Sequence, residues 1–268
     1  MRVLVTNDDG LHAPGLSHLA GAAARAGHQV LAVAPEQNRS GSAAAIDDLG
    51  EQSSIRCRAK TLAGLDGVEA YELDAPPALC VVAAMIQAFG DPPELVLSGI
   101  NPGLNTGRST LHSGTVGAVL TAANFGVSGV AVSIAGHEPT IRNWGVAADL
   151  AVQAVDWVRA QDGVSTLNLN VPDLPASQLS EPVLASLARK GAVHTEVLER
   201  DDEWIRLGFR ETTDELPEGT DTRVTADGHP AVTPITGIRV GEITPEQGAR
   251  LLVCLAASPR SDANGVGT

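Results

Sequence analysis

The stretch Arg2-Val3-Leu4-Val5-Thr6-Asn7-Asp8-Asp9-Gly10 decides how the rest of the chain is read. Its first half is a short apolar run that fits a buried strand, and the polar Asn7-to-Gly10 segment cannot continue that run. Pro14 then occupies a place where the first turn of a helix tolerates proline. Leu16, Leu19, Ala20 and Ala23 follow at helical spacing, and Gly27 supplies a stop. Working outward, the alternation repeats. Strands are expected over 28–34, 94–98, 129–134 and 166–171, with helices over 77–89, 113–125 and 144–160. Such strands, alternating with helices, predict an α/β fold with a Rossmann-like, mainly parallel sheet and helices on both faces. Ligands of these sheets sit outside the carboxyl ends of the strands.

The pattern changes after the last of those strands. Residues 196–221 carry ten of the 32 acidic side chains and include a short aromatic strand over 204–209. The region 196–235 reads as an extended acidic arm or hairpin, closing with a strand over 231–235, and a helix follows over 245–256. One elaborated domain is expected over 1–257, with a small, polar, disordered tail over 258–268.

Composition removes several functions. The formal net charge is -14, so a basic face for a nucleic-acid polymer is not expected. No apolar run reaches the roughly 18 residues of a membrane span. Cys57, Cys80 and Cys254 are widely spaced with no CxxC, which argues against a disulfide framework or a zinc site. No basic-plus-apolar leader is visible, and a reducing cytoplasm is the expected location. The acidity also poses a problem, because an anionic substrate would need local compensation, most simply from a metal ion.

Four loops converge on one sheet edge. Asp8 and Asp9 are adjacent carboxylates at a strand end, costly together unless a cation or proton relieves them. They suit Mg²⁺ or Mn²⁺, or else form a solvated turn with a helix cap. The loop 34–42 offers the Ser40 hydroxyl and the Arg39 charge. The loop 98–105 offers the amides of Asn101 and Asn105. His112-Ser113-Gly114-Thr115 opens a helix whose N-terminus can hold an anion, or Ser113 simply caps it. Separately each reads as an ordinary turn. Together they suit metal-assisted hydrolysis of a phosphate ester.

These segments also carry a resemblance. VTNDDGLHAPGL (5–16), VAPEQNRSGS (33–42), LVLSGINPGLN (95–105), HSGTVGA (112–118), AVSIAGH (131–137), LNLNVP (167–172) and VTP (232–234) occur in the order found in the SurE proteins, the stationary-phase survival family of nucleotidases. The resemblance implies a phosphoric monoester hydrolase acting on nucleoside 5′- or 3′-monophosphates, with some activity on short polyphosphate. It implies a homodimer or homotetramer. It implies one divalent ion per subunit, Mg²⁺ or Mn²⁺, held by Asp8, Asp9, Ser40 and Asn101, with Asp8 and Asp9 also catalytic. Asn105, Ser113, Gly114 and Thr115 would lie beside the phosphate, and Arg39 could touch substrate or sit in an ion pair. The chain departs from the family pattern at Leu79, Thr121, His229-Pro230 and Thr236. Pro230 lacks a ladder donor, so the strand after it is expected to be shortened or at an edge. Two other classes fit paired acids after a first strand. One is a phosphate-accepting receiver domain, which would need an Asp near Asn101 and a Lys near Asn170. The other is a nucleotide sensor without turnover.

Overall fold

A computed structural model describes residues 1–47, 49–50, 54–191, 193–211, 216–238 and 244–256. The expected tail over 258–268 lies outside the described residues. The chain forms two compact units, Met1–Gly237 and Ile238–Thr268. The second contains helix α6 (Pro245–Ala256), which starts at a reciprocal pair: Thr244 N–H donates to Gln247 Oε1, and Gln247 N–H donates to Thr244 Oγ1. No described helix is long and apolar enough to cross a membrane.

The first unit is built on a nine-stranded sheet. Its strands are β1 (Arg2–Thr6), β2 (Gln29–Pro35), β3 (Cys57–Lys60), β4 (Glu69–Leu73), β5 (Leu95–Pro102), β6 (Gly129–Ile134), β7 (Thr166–Val171), β8 (Val183–Leu184) and β11 (Ala231–Ile235). Their spatial order is β3-β4-β2-β1-β5-β6-β7-β11-β8. The six strands from β4 to β7 run parallel, while β3 and β11 are antiparallel to their neighbours β4 and β7. Alternation within each strand divides the core. Val3, Val5, Leu95 and Leu97 face helices α1 (Pro14–Arg25) and α4 (Trp144–Arg159). Leu4, Val96 and Ala131 face α2 (Pro77–Met85) and α3 (Gly114–Asn124). Helices therefore cover both faces, as the apolar strands require.

Strands β3 and β4 give no apolar run in the sequence, because β3 is a short, largely exposed edge strand. Helix α2 ends at Met85 rather than at 89. Gln87 turns left-handed at φ 68, and Ala88 N–H donates to Ala83 O at 3.0 Å, closing the helix without the glycine that would have signalled it. Strand β5 runs on to Pro102 through an irregularity, so Asn101 sits on the sheet, paired with Ser133, instead of in a loop. β11 is internal rather than an edge, since Pro230 precedes the paired residues and its carbonyl accepts from Val183 N–H at 2.9 Å. The region expected as an arm over 196–235 contains both sheet strand β11 and a separate hairpin of β9 (Val193–Arg200) and β10 (Ile205–Glu211). Cross-strand pairs Arg210–Glu196 (2.9 Å) and Arg206–Glu199 (3.1 Å) lace that hairpin. The short helix α5 (Asp221–Ala226) follows it.

Helix α3 accepts close backbone approach. A Cβ on Gly117 would stand 2.1 Å from Ala43 O, so the loop after β2 lies directly on the helix there. Gly117→Ala should gain about 1 kcal/mol of helix propensity. It must also push that carbonyl aside, at a cost of about 1–3 kcal/mol by overpacking. The expected result is a lower thermal midpoint, and calorimetry checks it.

Candidate functional site at the carboxyl edge of β1, β2 and β5

The strand order places the site. From β1 the chain steps to β2 and β4 on one side and later to β5, β6 and β7 on the other. The β1–β5 boundary is thus a topological switch point, where loops splay apart and leave a crevice. Asp8 and Asp9 follow the central strand, Ser40 follows β2 on one side, and Asn101 ends β5 on the other.

The turn after β1 is locked by Asn7. Its Nδ2 donates to Gly10 O at 3.0 Å, and its Oδ1 accepts from Gly10 N–H at 3.2 Å. Asp8 is only 3% exposed and points its carboxylate at the start of α3. Thr115 Oγ1 donates to Asp8 Oδ1 at 2.6 Å, and a Cβ on Gly114 would stand 2.7 Å from Asp8 Oδ2. Burial raises the Asp8 pKa, while the Thr115 hydroxyl and the backbone amides of Asp8, Gly114 and Thr115 oppose that rise. A helix N-terminus is where such a charge is best tolerated.

Asp9 stands in a harsher field. Its Oδ1 accepts from Asn38 Nδ2 at 3.2 Å, while its Oδ2 is buried with no partner. Burial, then the Asp8 charge, then the Glu138 charge push its pKa from 3.8 up to about 7, against the Asn38 hydrogen bond. Asn38 also accepts from Ser40 N–H at 2.9 Å, so one amide ties the Asp9 carboxylate to the Ser40 backbone. Arg39 N–H donates to Asp8 O at 2.7 Å. The Arg39 guanidinium pairs with Asp74 at 2.9 Å. Asn101 Nδ2 donates to Gly103 O at 2.6 Å, which leaves its Oδ1 for another partner.

The other side of the site is organised by α3 and Asn105. Ser113 is the N-cap of α3, and its Oγ accepts from Val116 N–H at 3.1 Å. Capping and anion binding are compatible here, because the hydroxyl hydrogen is not used by the cap. The Thr115 hydroxyl, in contrast, has its hydrogen on Asp8. Asn105 Nδ2 donates to Ser133 Oγ at 2.9 Å and retains a second hydrogen.

Among the described residues no three His, Cys, Asp or Glu side chains form a metal cluster. The donor set that Asp8, Asp9, Asn101 and Ser40 could offer is two carboxylates with an amide and a hydroxyl. It is a set of hard oxygens of the kind that Mg²⁺ and Mn²⁺ take. The orphaned, buried Asp9 oxygen is the feature of this site that calls for a cation. A receiver-type reading finds no support in the same places, since Asn101 is no phosphoacceptor and Asn170 is bonded to the backbone of Asn105.

Comparison with known proteins gives a consistent result. The family model for Survival protein SurE matches residues 3–194. The chain belongs to the SurE family. It is 35% identical over 241 residues to a protein named 5′-nucleotidase SurE from Geobacter sulfurreducens, covering 88% of this chain and 87% of that one. It is 32% identical over 243 residues to the 5′-nucleotidase SurE of Aeromonas hydrophila, covering 88% and 92% respectively. The crystal structure of the SurE protein from Aquifex aeolicus superposes with a TM-score of 0.73 at 26% identity, covering 96% of this chain and all of that one.

Sequence reading passed over several residues of this SurE site. Asn38 and Ser42 belong to a loop read only for Ser40 and Arg39. Ser42 Oγ is buried without a partner, and a Cβ on Gly114 would stand 2.8 Å from it. Glu138 is distant in sequence and enters only through its field at Asp9. Asn168 and Asn170 did leave a signal: two amides alternating inside an apolar, buried strand, where asparagine is disfavoured and costly.

The raised Asp9 pKa has a thermodynamic sign. Its protonated form favours the folded state, so its stability contribution is present below pH 3.8 and is lost as pH rises to about 7. In chelator, calorimetry should show a thermal midpoint that falls across that window. Asp9→Asn, which cannot ionise, should flatten the fall and melt higher than the unaltered protein at pH 8.

Proposed function

We propose that this SurE protein is a phosphomonoesterase that hydrolyses nucleoside 5′- and 3′-monophosphates to nucleoside and phosphate, with short polyphosphate as a further substrate. The observation that carries the reading is the carboxylate pair at the switch point. Asp8 is set against the N-terminus of α3, and Asp9 keeps a buried oxygen without a partner. The names of its relatives point the same way.

Asp8, Asp9, Ser40 and Asn101 would hold one divalent ion, Mg²⁺ or Mn²⁺. Such an ion supplies countercharge to the phosphate and a water of lowered pKa. The protein's own groups do the rest. Asp8 or Asp9 orients the attacking water or takes its proton. Thr115 holds the Asp8 carboxylate in one orientation. The remaining hydrogens of Ser113 and Asn105 bind phosphate oxygens as charge shifts among them, while the first amides of α3 stay on Asp8. Gly114 lets the Asp8 carboxylate and the Ser42 hydroxyl approach the backbone of α3. Arg39, paired with Asp74, lends charge at the rim instead of a bidentate clamp.

Two further parts of the proposal concern context. The hairpin exposes Val197, Leu198, Trp204, Ile205 and Leu207, which supports a homodimer or homotetramer assembled through apolar surface. Cys57 and Cys80 are free thiols, in keeping with a reducing cytoplasm.

A phosphate-release panel over nucleoside monophosphates with Mg²⁺ or Mn²⁺ tests the activity. Release should depend on the added ion, and Asp8→Asn should reduce kcat on the order of 10²-fold or more. Undiminished turnover by Asp8→Asn would refute the scheme. Acid-labile phosphorylation of Asp8 or Asp9 without turnover would favour a phosphoacceptor instead.

A further inference from the structure

Strand β7 carries a second layer of the site. Thr166, Asn168 and Asn170 alternate along it, and each is at most 4% exposed. Asn168 and Asn170 are fully buried, where an amide is costly unless its hydrogen bonds are made. Both are directed at one residue. Asn170 Oδ1 accepts from Asn105 N–H at 2.8 Å. Asn170 Nδ2 donates to Asn105 O at 3.0 Å, and Asn168 Nδ2 donates to the same oxygen at 2.8 Å. The Asn105 side chain is held separately, by Ser133 of β6, which is also fully buried and is the register partner of Asn170.

Every polar main-chain atom of Asn105 is thus bound to β7, and its side-chain amide is bound to β6. An ordinary surface loop is not held this way, because loops leave most main-chain groups to water. A packing role alone would favour apolar residues at 168 and 170, as at Leu167 and Leu169 on the opposite face. What the amides do is hold one residue in one place.

We propose that Asn168 and Asn170 are positioning residues for catalysis. They fix the Asn105 backbone on the end of the sheet, so that its side-chain amide meets a phosphate oxygen at a set distance from the Asp8–Asp9 pair. The inference rests on the reading that Asn105 contacts phosphate. Small misplacement matters because a shift of about 1 Å in a positioned group can cost on the order of 10²-fold in rate.

A double-mutant cycle tests it. Asn105→Ala, Asn170→Ala and the double variant are compared for kcat and KM on a nucleoside monophosphate, for the Ki of inorganic phosphate, and for thermal midpoint. Asn170→Ala should lower kcat/KM by about 10- to 100-fold and raise the phosphate Ki in parallel. The double variant should be no worse than Asn105→Ala alone, since a positioning residue has nothing left to position. Multiplying losses in the double variant would overturn the proposal, as would an unchanged Ki in Asn170→Ala. An unchanged Ki in Asn105→Ala, with Asp8→Asn inactive, would also overturn it while leaving the phosphomonoesterase reading intact. If Asn170→Ala does not fold, Asn170→Ser keeps a hydroxyl on the strand and enters the same cycle.

Discussion

A carboxylate held against a helix N-terminus organises this protein. Asp8 is almost completely buried, and a buried anion is stable only where donors and positive potential meet it. Thr115 and the first amides of α3 provide both. That contact fixes the helix relative to β1, and with it the crevice between β1 and β5. The loop after β2 is then drawn in by Arg39 N–H on the Asp8 carbonyl and by the glycine face of α3. The second carboxylate of the pair receives no such treatment. Asp9 is left with an orphan oxygen and a pKa pushed up to about 7, a local instability that a bound cation would relieve. Two adjacent carboxylates thus sit in opposite environments.

The charge of the whole chain is also unevenly placed. Ten of its 32 acidic residues fall within 196–221, a stretch that includes most of the β9–β10 hairpin. Two of them, Glu196 and Glu199, form cross-strand pairs with Arg210 and Arg206. The acidity therefore opposes contact with a long polyanion, yet it leaves room for one small phosphate ester held at a cation and a helix end.

Much of the architecture was legible because the strands of a doubly covered sheet must be apolar on both faces. β1, β2 and β6 could be read for that reason, and the polar segments after the early strands marked the loops that matter. What escaped was whatever lacked such a constraint. β3 is a polar edge strand held by ion pairs from Arg58 and Lys60 to Glu36 and Glu72. The end of α2 uses a left-handed glutamine where glycine is the usual sign. Asn101 was read as a loop residue because an irregular strand looks like a turn in one dimension.

By itself the sequence determined the alternation of strands and helices, the carboxylate pair, and the family motifs that name the chemistry. These depend on local periodicity and short spacing, which a linear chain displays directly. Only the tertiary structure decided the partners: Thr115 on Asp8 across 107 residues, Asn38 on Asp9, and the two β7 amides on the backbone of Asn105 across more than 60. Such contacts follow from strand order. A parallel sheet brings together the ends of strands that are far apart in the chain, and no local pattern records which ends those will be.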